Sequence, residues 1–297
     1  MENLKRNEYI INILKNYLTF DLINIIIDYD EFFTKQKLLD TINIPGENKY
    51  NTAKIALLDE NIYIPHYNIC PEISINAKEL SVYNLKTENF NYFGKRINND
   101  VTENDLSHQK ILAIEEYGGR LYILDLNKIK ICDSKLNTLY RIYLIDKIGK
   151  VFDIHVHNNN IYCISLDNNM ISMDLYGNNI KYICQVDSGA GFYVYDNELY
   201  VCDTKTNNMK IYSIFNHRLL RTYNIKNLNL GYFVKMIIKD SIIHLNNGNK
   251  IIFLYQNMKI HKTLTYQNSV NYNYGFEISG DKIYIIDNNR ILIYQQY

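Results

Sequence analysis

Asp153, His155 and His157 stand at alternate positions of the run FDIHVH. On a strand, alternate side chains point to one face, so the three would share it. Imidazoles beside a carboxylate are the groups that ligate zinc or move protons near neutral pH. Three successive positions on one face span about 13 Å, so a single ion reaches no more than two of them. His155 and His157 are therefore metal candidates only with a ligand from another segment, and His66, His108, His217, His244 and His261 show no partner spacing. Comparable runs carry Lys54, Glu115, Glu116, Lys235 and Glu277. Two carboxylates such as Glu115 and Glu277 can divide acid and base roles, and Asp153, His155 and Glu277 together would suit a hydrolase or lactonase. No fixed-spacing motif supports that chemistry: GxSxG, GxGxxG after a strand, a P-loop, HExxH and an EF-hand loop are all missing from the sequence. The expectation is no catalytic residue, no bound metal and no cofactor, with these polar groups in structural or solvated positions.

The elements that carry these residues repeat. An aliphatic residue, usually followed by Tyr and then an alternating apolar run, returns at Ile62 (IYIPH), Leu121 (LYILD), Ile161 (IYCIS), Leu199 (LYVCD), Ile242 (IIHLN) and Ile283 (IYIID). The intervals are 59, 40, 38, 43 and 41 residues. Each unit holds further strand-like runs before and after this anchor, with Asn, Asp and Gly between them. Four short strands in a period near 40 residues predict the blades of an all-β, six-bladed β-propeller. The last unit lacks an outer strand, and Lys37 to Ile44 (KLLDTINI) has the outer-strand pattern, so residues 37–44 are predicted to complete blade six and leave no open sheet edge. The predicted outer strands each hold Lys or Arg, including Lys37, Lys95, Arg96, Arg141, Lys181, Arg221 and Lys262, a charge pattern that protects edges from pairing with other chains.

Residues 37–297 resemble degenerate WD-like and NHL-like propellers, and the Asn-, Ile- and Tyr-rich propeller proteins of giant DNA viruses. The chain has 42 Asn, 46 Ile and 28 Tyr but no Trp, hence no WD dipeptide. Its 32 basic and 32 acidic side chains cancel, so no net attraction draws it to nucleic acid or an anionic membrane. Five Cys without a CxxC pair, and an N-terminus without the apolar core of a secretory signal, predict a reduced, cytoplasmic setting, either host cytosol or virion.

Residues 1–33 carry the sequence's helical periodicity and predict a short helical arm. The stretch from Leu18 to Tyr29 resembles the first half of an F-box at Leu18, Asp21, Leu22, Ile23, Ile26, Ile27 and Tyr29, with Thr19 where that family has Pro. The resemblance implies docking to the adaptor of a cullin-type ubiquitin ligase through Leu18, Leu22, Ile23, Ile26 and Tyr29, with the propeller as substrate receptor. Two long insertions, residues 66–77 and 97–109, are predicted to project from one propeller face. They offer His66, Tyr67, Glu72, Asp100, Glu103 and Asp105 to a protein partner, a basic one on account of the acidic second loop. The sequence thus predicts a non-enzymatic interaction scaffold, with a virion or assembly component and an axial-pocket hydrolase as the alternatives.

Overall fold

Six tight turns set the architecture. Asp59-Glu60, Gly118-Gly119, Asn158-Asn159, Asp196-Asn197 and Asp240-Ser241 hold both residues at positive φ, and Gly280 opens the sixth turn at φ 58. This is the two-residue hairpin whose twist matches the strands it joins, and it favours Asn, Asp and Gly because other side chains are strained at positive φ, with Glu60 and Ser241 the exceptions. At Gly118 and Gly119 an added Cβ would meet nothing within 4 Å, so only the backbone conformation selects glycine there. Replacing both by Val is expected to lower the urea midpoint by an amount worth about 2 kcal/mol, with spectra otherwise unchanged.

In the computed structural model, residues 37–44, 54–65, 80–93, 111–125, 127–186, 190–230, 235–266, 275–287 and 290–296 are described. They form six antiparallel sheets of four strands, each in simple up-and-down order. Blade 1 is Ala56–Leu58, Asn61–Pro65, Leu80–Asn84 and Asn89–Phe93; blade 2 is Ala113–Tyr117, Arg120–Leu124, Lys128–Cys132 and Thr138–Tyr143. Blade 3 is Val151–His157, Asn160–Ser165, Asn169–Asp174 and Lys181–Gln185; blade 4 is Gly191–Tyr195, Glu198–Asp203, Asn208–Ser213 and Leu219–Asn224. Blade 5 is Lys235–Lys239, Ile242–Asn246, Lys250–Tyr255 and Ile260–Thr265. Blade 6 is Phe276–Ser279, Lys282–Asp287 and Arg290–Gln295, and its fourth strand is Leu38–Asn43, antiparallel to Arg290–Gln295. The first strand of each blade touches the first strands of its neighbours, which places these six strands around the axis.

The repeated anchor has a physical reading at both ends. Its Tyr fills the gap between blades: Tyr63, Tyr122, Tyr162, Tyr200 and Tyr284 are buried. Tyr63 Oη still reaches the Ser134 carbonyl at 2.6 Å, as a buried phenol requires. The last anchor residue caps the following turn. Asp125 Oδ1 accepts the Asn127 and Lys128 amides at 2.8 and 3.0 Å, Ser165 Oγ accepts the Asn169 amide at 3.2 Å, and Asp203 and Asn246 do the same for Thr206 and Gly248. The core is divided accordingly. Its six clusters each join residues of two adjacent blades, such as Leu124 and Ile129 with Ile154 and Ile161 between blades 2 and 3.

The outer edges are irregular. In blades 2 to 6 the pairing of the outermost strand shifts register, for example between Ile131 and Cys132 and between Phe253 and Leu254. Bulges of this kind twist an edge away from further pairing, and Arg141, Lys181, Arg221 and Lys262 add charge on the same strands. Blade 1 departs from expectation at its inner strand, which spans only Ala56–Leu58, with Lys54 bridging in parallel to Ala113. Among the described residues there are two short helical turns, α1 at Ile145–Ile148 and a 3-10 turn at Lys226–Leu228. Cys132, Cys163, Cys184 and Cys202 are free thiols, and among the described residues no helix is long and apolar enough to cross a membrane.

Candidate functional site

The ring places one repeated position at the axis. Glu115 pairs across the hairpin with Tyr122, His155 with Tyr162, Tyr193 with Tyr200 and Glu277 with Tyr284. Directly opposed residues share a sheet face, so each axial side chain follows the anchor Tyr toward the next blade. Blades 1 and 5 put Ala56 and Ile237 at this position, and the charged residues Lys54 and Lys235 stand two residues before them.

These side chains are joined in a network across the axis. Glu115, from blade 2, is held by the Lys54 ammonium of blade 1 and by His155 of blade 3, whose Nδ1 lies 2.9 Å from Glu115 Oε1. Asp153 Oδ2 accepts from Lys235 Nζ at 2.6 Å, tying blade 3 to blade 5. Tyr193 packs on the His155 ring with centroids 4.0 Å apart. Burial, with the Lys54 charge next, pushes His155 well below the usual imidazole range, so the ring is neutral and donates from one nitrogen. The shorter contact makes that nitrogen Nδ1, facing Glu115; Nε2 lies 3.3 Å from the Val194 carbonyl.

Burial also moves the two groups that face open space. Lys54 is pulled down to about 8, against the opposing pull of Asp153 and Glu277. Glu277 is pushed up to about 7 by burial, against Lys54, and its Oε1 accepts only the adjacent Ile278 amide at 2.9 Å among the contacts of the described residues. Glu277, half-buried, lines a cavity of about 190 Å³. That cavity is lined by Lys54, Glu115, Glu116, Tyr193, Glu277 and Ser279, with Leu57, Ile237 and Ile278 as apolar walls.

Of the two positions expected for the inner-strand charges, structural or solvated, Lys54, Glu115, Asp153, His155 and Lys235 take the structural one. Glu115 and Glu277, on blades that are not adjacent, line one cavity. Asp153 and His155 are bonded to different partners: Asp153 is engaged by Lys235, and His155 is oriented by Glu115 with its other nitrogen against backbone. His157 stacks beside His155 at 6.3 Å, and among the described residues no group of three or more His, Cys, Asp or Glu is placed to hold a metal ion. Tyr193 and Ser279 were not singled out by sequence reasoning; the position opposite the anchor Tyr is the signal that marks Tyr193.

A second feature lies on the outer rim. Leu139, Tyr143, Tyr176 and Tyr182 are each more than half exposed, and Tyr140, Ile145 and Ile180 are exposed around them. They come from the outer strand of blade 2, from α1 and from the last turn and outer strand of blade 3. Tyr140 and Tyr176 meet edge to face at 5.9 Å, Lys147 Nζ donates to the Gly177 carbonyl at 2.7 Å, and a Cβ on Gly177 would collide with Ile142. The two blades are thus locked at this seam while its aromatic rings face outward.

No protein-family model and no curated protein matches the sequence. Solved structures match along most of the chain. Against the WD40 β-propeller domain of Doa1 the identity is 13%, 89% of this chain and 98% of that chain are covered, and the TM-score is 0.59. The fold is a six-bladed β-propeller. Virginiamycin B lyase from Staphylococcus aureus gives 13% identity, 89% and 100% coverage and a TM-score of 0.61. A chain of the mitotic checkpoint complex gives 10%, 89% and 93%, with a TM-score of 0.58. At these identities the likeness is one of fold. The arm residues Leu18, Leu22, Ile23, Ile26 and Tyr29, and the loop residues His66, Tyr67, Glu72, Asp100, Glu103 and Asp105, lie outside the described residues.

Proposed function

We propose that this propeller is a non-enzymatic interaction scaffold that holds a protein partner on the rim of blades 2 and 3. The observation that carries this reading is the exposed aromatic seam around Tyr140 and Tyr176, on blades whose outer strands are otherwise bulged and charged. Exposed apolar surface of this kind marks association sites, and Tyr is enriched at the centres of protein interfaces. The mutual neutralisation of Lys54 with Glu115 and of Lys235 with Asp153 also supports binding over catalysis. Fold neighbours fall on both sides, a lyase among them and a chain of a multi-protein complex as well.

In the finer form of this reading, residues 1–33 are a helical arm that docks a ubiquitin-ligase adaptor through Leu18, Leu22, Ile23, Ile26 and Tyr29. Residues 37–297 are the receptor in the cytosol, the strand at 38–43 closes its ring, and the insertions at 66–77 and 97–109 add contacts. The Asn-, Ile- and Tyr-rich resemblance supports a giant-virus source for such a receptor. The test is affinity capture from cells that express the protein, comparing wild type, Tyr140→Lys/Tyr176→Lys and Leu22→Asp/Ile26→Asp. The rim variant is expected to lose the bound partner while its melting temperature stays within about 2 °C, since exposed substitutions change stability little. The arm variant is expected to lose only the adaptor. Identical partner sets for wild type and rim variant would refute the rim assignment.

A further inference from the structure

The axial cavity has a charge balance that its own residues do not settle. Three carboxylates line it, Glu115, Glu116 and Glu277, against one cation, Lys54, which is committed to Glu115. Glu116 accepts from the Gly119 amide at 2.9 Å and Glu277 from the Ile278 amide, so among the described residues neither has a cationic hydrogen-bond partner. Lys239 is near enough to act on Glu277 through space, yet its ammonium is bonded to the Gly280 carbonyl at 2.5 Å. Glu116 is exposed and Glu277 half-buried, and burial still disfavours the Glu277 carboxylate, so an incoming cation relieves that cost while an incoming anion raises it.

The walls narrow the class of cation. Among the described residues no group of three or more His, Cys, Asp or Glu is placed to hold a metal ion, which favours an organic cation. Leu57, Ile237 and Ile278 and the Tyr193 ring offer apolar and aromatic surface beside the carboxylates, which suits an alkyl stem ending in a charged head. We propose that the axial cavity binds an organic cation, a primary ammonium group on an apolar stem, with Glu277 and Glu116 receiving its N–H groups. The same chemistry is offered by a free small amine and by a lysine side chain. This site shares no residue with the rim of blades 2 and 3 and is tested apart from it.

The experiment is calorimetric titration of the full chain with n-butylammonium, with N-acetyl-lysine methylamide and with butyrate. Saturable binding of n-butylammonium and none of butyrate is expected, with the affinity lowered roughly tenfold or more in Glu277→Gln and to a lesser degree in Glu116→Gln. The rim variant Tyr140→Lys/Tyr176→Lys is expected to bind as wild type. Affinity is expected to rise from pH 6 to pH 8, because Glu277 ionises near 7 and Lys54 begins to lose its opposing charge near 8. Binding of the lysine derivative as tightly as butylammonium assigns the site to a side chain, and its exclusion assigns it to a free amine. Absence of saturation with either ammonium probe, equal affinity for butyrate, or unchanged affinity in Glu277→Gln would overturn the proposal.

Discussion

Glu277→Gln is expected to stabilise the protein at pH 8 by about 2–3 kcal/mol and to leave it nearly unchanged at pH 4.5. The carboxyl titrates near 7 when folded and at its ordinary value of 4.5 when unfolded. Between those values the folded chain holds a proton that the unfolded chain has released, so stability falls as pH rises from 4.5 through 7 and then levels off. That displacement corresponds to about 3 kcal/mol, reduced here because Glu277 is only half-buried. Glutamine has nearly the shape of the protonated acid and cannot ionise, so it removes this penalty and nothing else. Urea midpoints of both proteins at pH 4.5 and 8 provide the check. Equal stability differences at the two values would show that Glu277 does not ionise against burial.

The converse substitution, Glu115→Leu, is expected to cost about 3–5 kcal/mol at pH 7. It leaves the Lys54 ammonium without its partner and His155 without the acceptor that orients it, and an uncompensated buried charge is far more costly than the pair it came from. Because the penalty belongs to the stranded charge, Lys54→Met/Glu115→Leu is expected to recover most of it. Thermal or urea unfolding of the two variants measures this directly. A single mutant within about 1 kcal/mol of wild type, or a double mutant no better than the single, would mean that the network does not bind blades 1, 2 and 3 together.

Much of the scaffold can be read from local chemistry. The anchor Tyr, the capping residue after it and the turn pair before it, which holds at least one Asn, Asp or Gly, each meet a backbone or packing demand, so they recur and can be aligned by eye. The axial site is different. Lys54, Glu115, Asp153, His155 and Lys235 are all recognisable as polar residues on inner strands, but their partners lie 61, 40 and 82 residues away. Only the closing of the ring brings them within hydrogen-bond reach, and no periodicity along one strand encodes that. Asp153 and His155 show the limit plainly. Their spacing proposes a shared task, whereas the ring gives Asp153 to Lys235 and His155 to Glu115. The rim escapes for another reason: Tyr140, Tyr176 and Tyr182 are the same residue type as the buried anchors, and only exposure separates the two groups.

The central claim, that a protein partner sits on the rim of blades 2 and 3, is tested most directly by a photo-reactive residue placed at Tyr143 and, as a control, at Tyr255 on blade 5, followed by crosslinking in cells that express the protein. The account predicts a discrete protein adduct from position 143 that disappears when Tyr140→Lys/Tyr176→Lys is added, and none from position 255. No adduct at 143, or the same adduct at both positions, would contradict it.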